Sequence, residues 1–201
     1  MVPALARANV SAPSFQSHGY AIAPDLISPT QCAFVRRAMI AAEAAGRMRP
    51  ATDRSVKGWH NQYAPFEGQA LLARLAPRIA QRVERPLLPA YSFWRIYDHG
   101  ATLARHVDRR ASEIAVTIAL GAEPVDASPW PIWVQGLDGA ERAIALAPGA
   151  AVIYQGGRVP HWREAFPGAR HFQLFLFYVA ADGANADLAN EPQRLAAALD
   201  H

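Results

Sequence analysis

The chain has one cysteine and one lysine, and each scarcity excludes something. Cys32 alone cannot close an internal disulfide, and without a cysteine cluster no thiolate zinc site can form, so a reducing, cytoplasmic setting is expected. Lys57 stands alone among twenty basic residues, and the formal charge of +3 is carried by scattered arginines. A basic block of the kind that tracks a phosphate backbone is missing, which argues against a nucleic-acid partner. No apolar run approaches the roughly 18 residues of a membrane span, and the first twenty residues lack the apolar stretch of a signal peptide, so a soluble, unexported protein is expected. An internal repeat, a Gly-rich phosphate loop and a low-complexity tract are also absent.

What is present suits one domain: 201 residues, 51% of them hydrophobic, bury one sizeable core. Residues 1–16 read as a flexible tail and 17–201 as the domain. A short strand is expected over 19–23. Ser28, Pro29 and Gln31 then spell a capping-box helix start, with Cys32, Val35, Met39 and Ala42 on its apolar stripe and Gly46 as its stop. Residues 47–66 have no clean period and read as a long loop, a candidate lid or binding loop that contains Trp59, His60 and Tyr63. Leu72, Leu75, Ala76, Ile79 and Val83 recur at helical spacing, with Pro77 expected to kink or split that helix. From about residue 88 the pattern changes to strands, over 88–97, 113–120, 131–135, 143–146, 150–154 and 170–179. So many short strands suggest a sandwich or barrel, with the two helices covering one outer face. A last helix is expected after Asn190, with Pro192 in its first turn and Leu195 and Leu199 as its stripe.

One stretch in the strand-rich part carries metal chemistry. Side chains alternate along a strand, so His106 and Asp108 point the same way and can offer an imidazole nitrogen and a carboxylate oxygen to one ion. His161, in Val159-Pro160-His161-Trp162-Arg163-Glu164, is the best candidate for a third ligand. Two histidines and a carboxylate on one face of a metal, the opposite positions open, is the arrangement of non-haem Fe(II) oxygenases. Singly, each histidine reads as structural and Asp108 as a turn residue. Their joint occurrence on predicted strands is what points to a metal. His99 and His171 lack that context and read as surface or loop residues, as does His60.

Three features together resemble the Fe(II)/2-oxoglutarate-dependent dioxygenases, most closely the prolyl-4-hydroxylase-like branch. They are Tyr97-Asp98-His99-Gly100 ahead of His106-Val107-Asp108, the strand entry Pro148-Gly149-Ala150-Ala151-Val152-Ile153-Tyr154, and His161 followed by Arg170. The resemblance spans about residues 18–180. It implies a mainly β fold with flanking helices around a double-stranded β-helix, a jelly-roll or cupin-like core. It also implies Fe(II) on His106, Asp108 and His161, with 2-oxoglutarate and O2 as cosubstrates. The reaction implied is hydroxylation of a peptidyl or free amino acid or another small metabolite, the diacid leaving as succinate and CO2.

A diacid that chelates a metal through its keto-acid end buries its far carboxylate, which then needs a charged, preferably bidentate, partner. Arg170 resembles the family's cosubstrate-binding residue in spacing and is favoured; Arg163, on the same strand face as His161, is the rival. Tyr97 matches a family tyrosine whose hydroxyl helps hold the same cosubstrate. Trp94, Trp133, Trp162 and Phe172 are core residues or line the roll, and Gln173 is placed to face the pocket. Substrate choice falls to the 47–66 stretch and the mouth of the roll, with Trp59, His60 and Trp162 as candidate contacts. Leu103 and Arg170 stand where collagen-type prolyl hydroxylases often carry tyrosine and lysine, which argues against such a substrate. Asp108 argues against a halogenase. The alternative reading is a cupin-like protein that binds metal or a small molecule and oxidises nothing.

Overall fold

The computed structural model describes residues 14–50, 56–124 and 130–198, with the backbone alone for 56–59. Most of the stretch read as a tail lies outside these residues. Helix α1 (Phe15–His18) begins within its last part, capped by Ser14 and buried at Phe15. Strand β1 (Tyr20–Ala23) leads to helix α2 (Pro29–Ala44). The capping box forms as read: the Gln31 N–H donates to Ser28 Oγ at 3.2 Å, and the Ser28 N–H donates to Gln31 Oε1 at 2.9 Å. Cys32, Val35, Met39 and Ala42 are the buried stripe.

The 47–66 stretch is not a loop. It contains strands β2 (Arg49–Pro50) and β3 (Val56–Tyr63), and β3 pairs with the long strand β4 (Leu87–His106), Tyr63 opposite Phe93. Its polar sequence hides the strand because backbone pairing to a distant partner, rather than an apolar face, holds it in place. Helix α3 (Phe66–Val83) runs through Pro77 unbroken. Pro77 and Ala73, whose carbonyl the missing N–H would have met, both face solvent, so the lost hydrogen bond falls where water can replace it. Leu71, Leu72, Leu75, Ile79 and Val83 hold the buried side.

The remaining strands are β5 (Ile114–Glu123), β6 (Ile132–Gln135), β7 (Glu141–Ile144), β8 (Ala151–Gln155), β9 (His161–Arg163) and β10 (Arg170–Ala180). Pairing is antiparallel throughout, in the order β1-β8-β5-β10-β4-β9-β6-β7, with β3 also against β4. Strand β4 joins the two layers of this curled sheet. Residues 87–98 pair with β10, whereas Leu103 and His106 pair with Arg163 and His161 of β9. The change of partner straddles Gly100, whose φ of +75° suits glycine.

The curl creates two cores. One lies between the outer face of the sheet and α2 and α3, and holds Trp94, Ile96, Phe172, Leu174 and Leu176. The other fills the roll and holds Tyr97, Val134, Val152, Phe175 and Phe177. Strand β10 is therefore apolar on both faces, because both are covered. Trp94 and Phe172 belong to the helix-side core rather than the lining of the roll. Trp133 and Trp162 stack on each other at 5.8 Å, with Arg105 4.3 Å above the Trp162 ring, on the outer face of the second layer. Gly149, at φ +90°, makes the close turn into β8: a Cβ there would meet the Ile27 carbonyl oxygen at 2.4 Å. The last helix, α4 (Glu191–Ala197), is capped by Asn190 without a side-chain bond, and Leu195 faces solvent instead of forming a stripe. Leu199 lies outside the described residues. No helix among the described residues is long and apolar enough to cross a membrane.

Candidate metal centre

The β4–β9 register sets His106 opposite His161, with ring centroids 4.3 Å apart. Asp108 follows just past the end of β4, where its N–H donates to the Gly156 carbonyl at 2.8 Å. Only glycine permits that approach, since a Cβ at 156 would lie 2.0 Å from the Ser112 carbonyl oxygen and 3.0 Å from Asp108 Oδ2. One nitrogen or oxygen each from His106, Asp108 and His161 then falls within 4.8 Å of the other two.

Both histidines are oriented by the same device. His106 Nδ1 lies 2.8 Å from the Ala104 carbonyl, and His161 Nδ1 lies 3.1 Å from the Val159 carbonyl. A carbonyl can only accept, so in each ring the proton sits on Nδ1 and the Nε2 lone pair points inward. Burial pushes the pKa of His161 down, with Asp108 partly opposing it, so this ring is neutral. Asp108 Oδ1 lies 3.6 Å from His106 Nε2 and 3.7 Å from His161 Nε2. Its Oδ2 is buried without a hydrogen-bond partner. Nitrogen and oxygen acceptors thus face one another across this gap. A divalent cation satisfies such a donor set, and the tethered Nδ1–H groups are the supports that metal-binding histidines require.

The three residues border a cavity of about 370 Å³ whose opposite wall is aromatic. Tyr91 stacks on Phe177, and Phe93 on Phe175, each at 4.4 Å. Arg95 lines the deep end, buried, its guanidinium 5.0 Å from the Phe93 ring and donating from Nη1 to the Tyr97 hydroxyl at 3.1 Å. Arg163 is also buried. It donates to the Trp130 carbonyl at 2.6 Å and to Gln173 Oε1 at 3.4 Å, and pairs with no carboxylate among the described residues. Burial pushes its pKa down to about 10.

Arg170 lies on the wrong face. Alternation along β10 turns it toward the helices, where it pairs with Glu43 and, at 3.8 Å, with Glu123. Of the arginines weighed from the sequence, Arg170 does not meet the cavity and Arg163 is buried behind it, whereas Arg95, which sequence reasoning missed, lines it. The signal for Arg95 was available: Tyr91, Phe93, Arg95 and Tyr97 alternate along one strand, and Tyr97 already pointed inward. Gln173 does face the interior, bonded to Thr117 and His171.

Of the three candidate substrate contacts, His60 and Trp162 do not meet the cavity. His60 turns toward Glu43 and Asp98, at 3.5 and 4.0 Å, while its neighbours Asn61 and Tyr63 line the cavity. Trp162 is on the outer face of the second layer. Trp59 sits opposite Tyr97 in the β3–β4 ladder, and its side chain is outside the described residues. Two further residues went unrecognised. The Tyr154 hydroxyl lies 3.3 Å from His161 Nε2. Arg109 lines the cavity and is gripped by Glu191 of α4, at 2.6 and 2.7 Å.

No family model and no curated protein matches this sequence. Solved structures do share its fold. A prolyl-4-hydroxylase from Pseudomonas putida superposes with a TM-score of 0.67 at 17% identity, covering 83% of this chain and 95% of its own. A prolyl hydroxylase from Trichoplax adhaerens, in complex with a hypoxia-inducible-factor oxygen-degradation-domain peptide, gives 0.68 at 13%, over 83% and 86%. The epimerase SnoN, in complex with Fe3+, alpha ketoglutarate and nogalamycin RO, gives 0.67 at 14%, over 83% and 81%. At such identities the likeness shows the fold: the jelly-roll architecture of the 2-oxoglutarate/Fe(II) oxygenases.

Proposed function

We propose that this chain is a 2-oxoglutarate-dependent Fe(II) oxygenase that hydroxylates a small molecule or a peptide side chain. The observation that carries the reading is the triad: two Nε2 lone pairs, each fixed by a tethered Nδ1–H, and a carboxylate oxygen, all facing one gap. His106, Asp108 and His161 would hold the metal. Bound there with 2-oxoglutarate, Fe(II) supplies the power to oxidise an unactivated carbon with O2, the diacid leaving as succinate and CO2.

The chain's own residues bind, orient and exclude water. Arg95, at the deep end of the cavity, takes the far carboxylate of the diacid, and Tyr97 holds the guanidinium in place. Arg163, buried without a carboxylate, adds a second positive charge at the same end, and an anion offsets the cost of burying it. The Tyr91, Phe93, Phe175 and Phe177 wall keeps the reacting carbon dry. The mouth, formed by Asn61, Tyr63, Val107 and Arg109, meets the substrate.

The test is anaerobic. Adding Fe(II) and then 2-oxoglutarate to the purified chain is expected to give the visible charge-transfer band of a keto-acid chelate, and Asp108→Ala or His161→Ala to abolish it. Admitting O2 in a substrate screen is then expected to release succinate. Metal binding with neither band nor succinate would favour the cupin-like binding protein.

A further inference from the structure

Tyr154 sits on β8 inside the roll, 2% exposed, and its hydroxyl contacts His161 at the nitrogen that faces the triad. Since the His161 Nδ1 proton is committed to the Val159 carbonyl, Nε2 accepts and the phenol donates. A metal on the triad takes that same lone pair, and the largely buried phenol then loses this acceptor. Leaving a buried hydroxyl without a partner is costly. The neighbouring acceptor is the Asp108 carboxylate, which borders the same cavity and whose Oδ1 lies 3.7 Å from the His161 nitrogen that the phenol touches. Its Oδ2 is buried and meets no hydrogen-bond partner at normal hydrogen-bond distance among the described residues. The nearby phenols are otherwise engaged, Tyr91 with Ser112 and Tyr97 with Arg95.

We propose, on the premise that the triad holds a divalent metal, that Tyr154 is a positioning residue: on metal binding its hydroxyl passes from His161 to Asp108 Oδ2 and confines that carboxylate to coordination through Oδ1. The hydrogen bond given up is neutral and the one gained is charge-assisted, roughly twice as strong. The hydroxyl therefore favours the metal-bound state. It leaves the positions opposite the triad to cosubstrate, because a carboxylate held by one oxygen cannot swing to occupy a further coordination position.

Ni(II) titration calorimetry on the full chain, with Tyr154→Phe made in the native and the Asp108→Ala backgrounds, tests this. Tyr154→Phe is expected to weaken Ni(II) binding about tenfold where Asp108 is present. In Asp108→Ala, where the second acceptor is gone, the same change is expected to leave binding unaltered or slightly tighter. Equal affinities in the native background, or equal losses in both, overturn the proposal. A second measurement needs no variant: Ni(II) added to the wild-type chain is expected to perturb the near-ultraviolet tyrosine spectrum as the phenol changes acceptor, and a flat difference spectrum counts against it. A wild-type chain that binds no Ni(II) instead removes the metal reading, and this inference with it.

Discussion

Arg95 and Arg170 differ in which side of a strand they occupy, and that difference is measurable. Arg95→Leu is expected to weaken 2-oxoglutarate binding by about 30-fold or more, since a buried charge-assisted partner is worth roughly 2–3 kcal/mol. Arg170→Leu is expected to leave that affinity within about twofold and to cost under about 1 kcal/mol of stability, its ion pairs with Glu43 and Glu123 being partly exposed. Isothermal titration against the anaerobic Fe(II) form separates the two. His171 offers a second measurement. Burial, reinforced by the Arg163 charge, holds its pKa down at about 3 against 6.5 for an unperturbed imidazole. Between those values the unfolded chain binds a proton that the folded chain refuses, so stability falls as pH drops, by up to about 1.4 kcal/mol per unit. Urea unfolding across that range is expected to show the slope, and His171→Gln to flatten it. At this scale the sequence carried the triad, because three ligand types on alternating strands leave a local signature. It did not carry which arginine faces the cavity, because spacing from His161 says nothing of the face on which Arg170 emerges.

Among the elements, those with local causes were legible and those with distant ones were not. Helix α2 announced itself through Ser28, Pro29 and Gln31, and Ser28→Ala is expected to lower stability by about 1 kcal/mol in chemical denaturation. Strand β3 has no such signature, since its partner β4 lies beyond helix α3 and most of its residues are polar. Helix α3 kept its course through Pro77 because the lost bond faces water, which periodicity alone could not reveal. Helix α4 was read as held by an apolar stripe, but a carboxylate holds it. Glu191, buried, receives both arms of Arg109 and the Tyr63 hydroxyl at 2.5 Å. Glu191→Ala is expected to cost about 2 kcal/mol and to speed amide hydrogen exchange across α4. It also releases two residues of the cavity mouth, so substrate KM is expected to rise more than kcat falls.

At the scale of the whole molecule, a metal on the triad would be coupled to the fold. The triad draws on β4, β9 and the turn that follows β4, so an ion held there ties the two layers of the roll together. Ni(II) at 100 times its dissociation constant is expected to stabilise the chain by about 2.7 kcal/mol, read as a rise in melting temperature that shrinks in Asp108→Ala at the same Ni(II) concentration. The double-layered architecture was legible as a count of short strands. Its closure was not, because the partner exchange within β4 depends on contacts far apart in sequence.

Strand β4 carries Arg95 and Tyr97 before that exchange and His106 after it, so under the proposed function a single ribbon would set the span between the diacid's far end and the ion. Side chains along a ribbon swap sides at every step. Losing or gaining one residue between 97 and 106 therefore expels either the guanidinium or the imidazole from the interior, whereas a change of two can preserve both. Homologous chains that retain this chemistry should differ in that interval only by even numbers, unless a bulge absorbs the odd one.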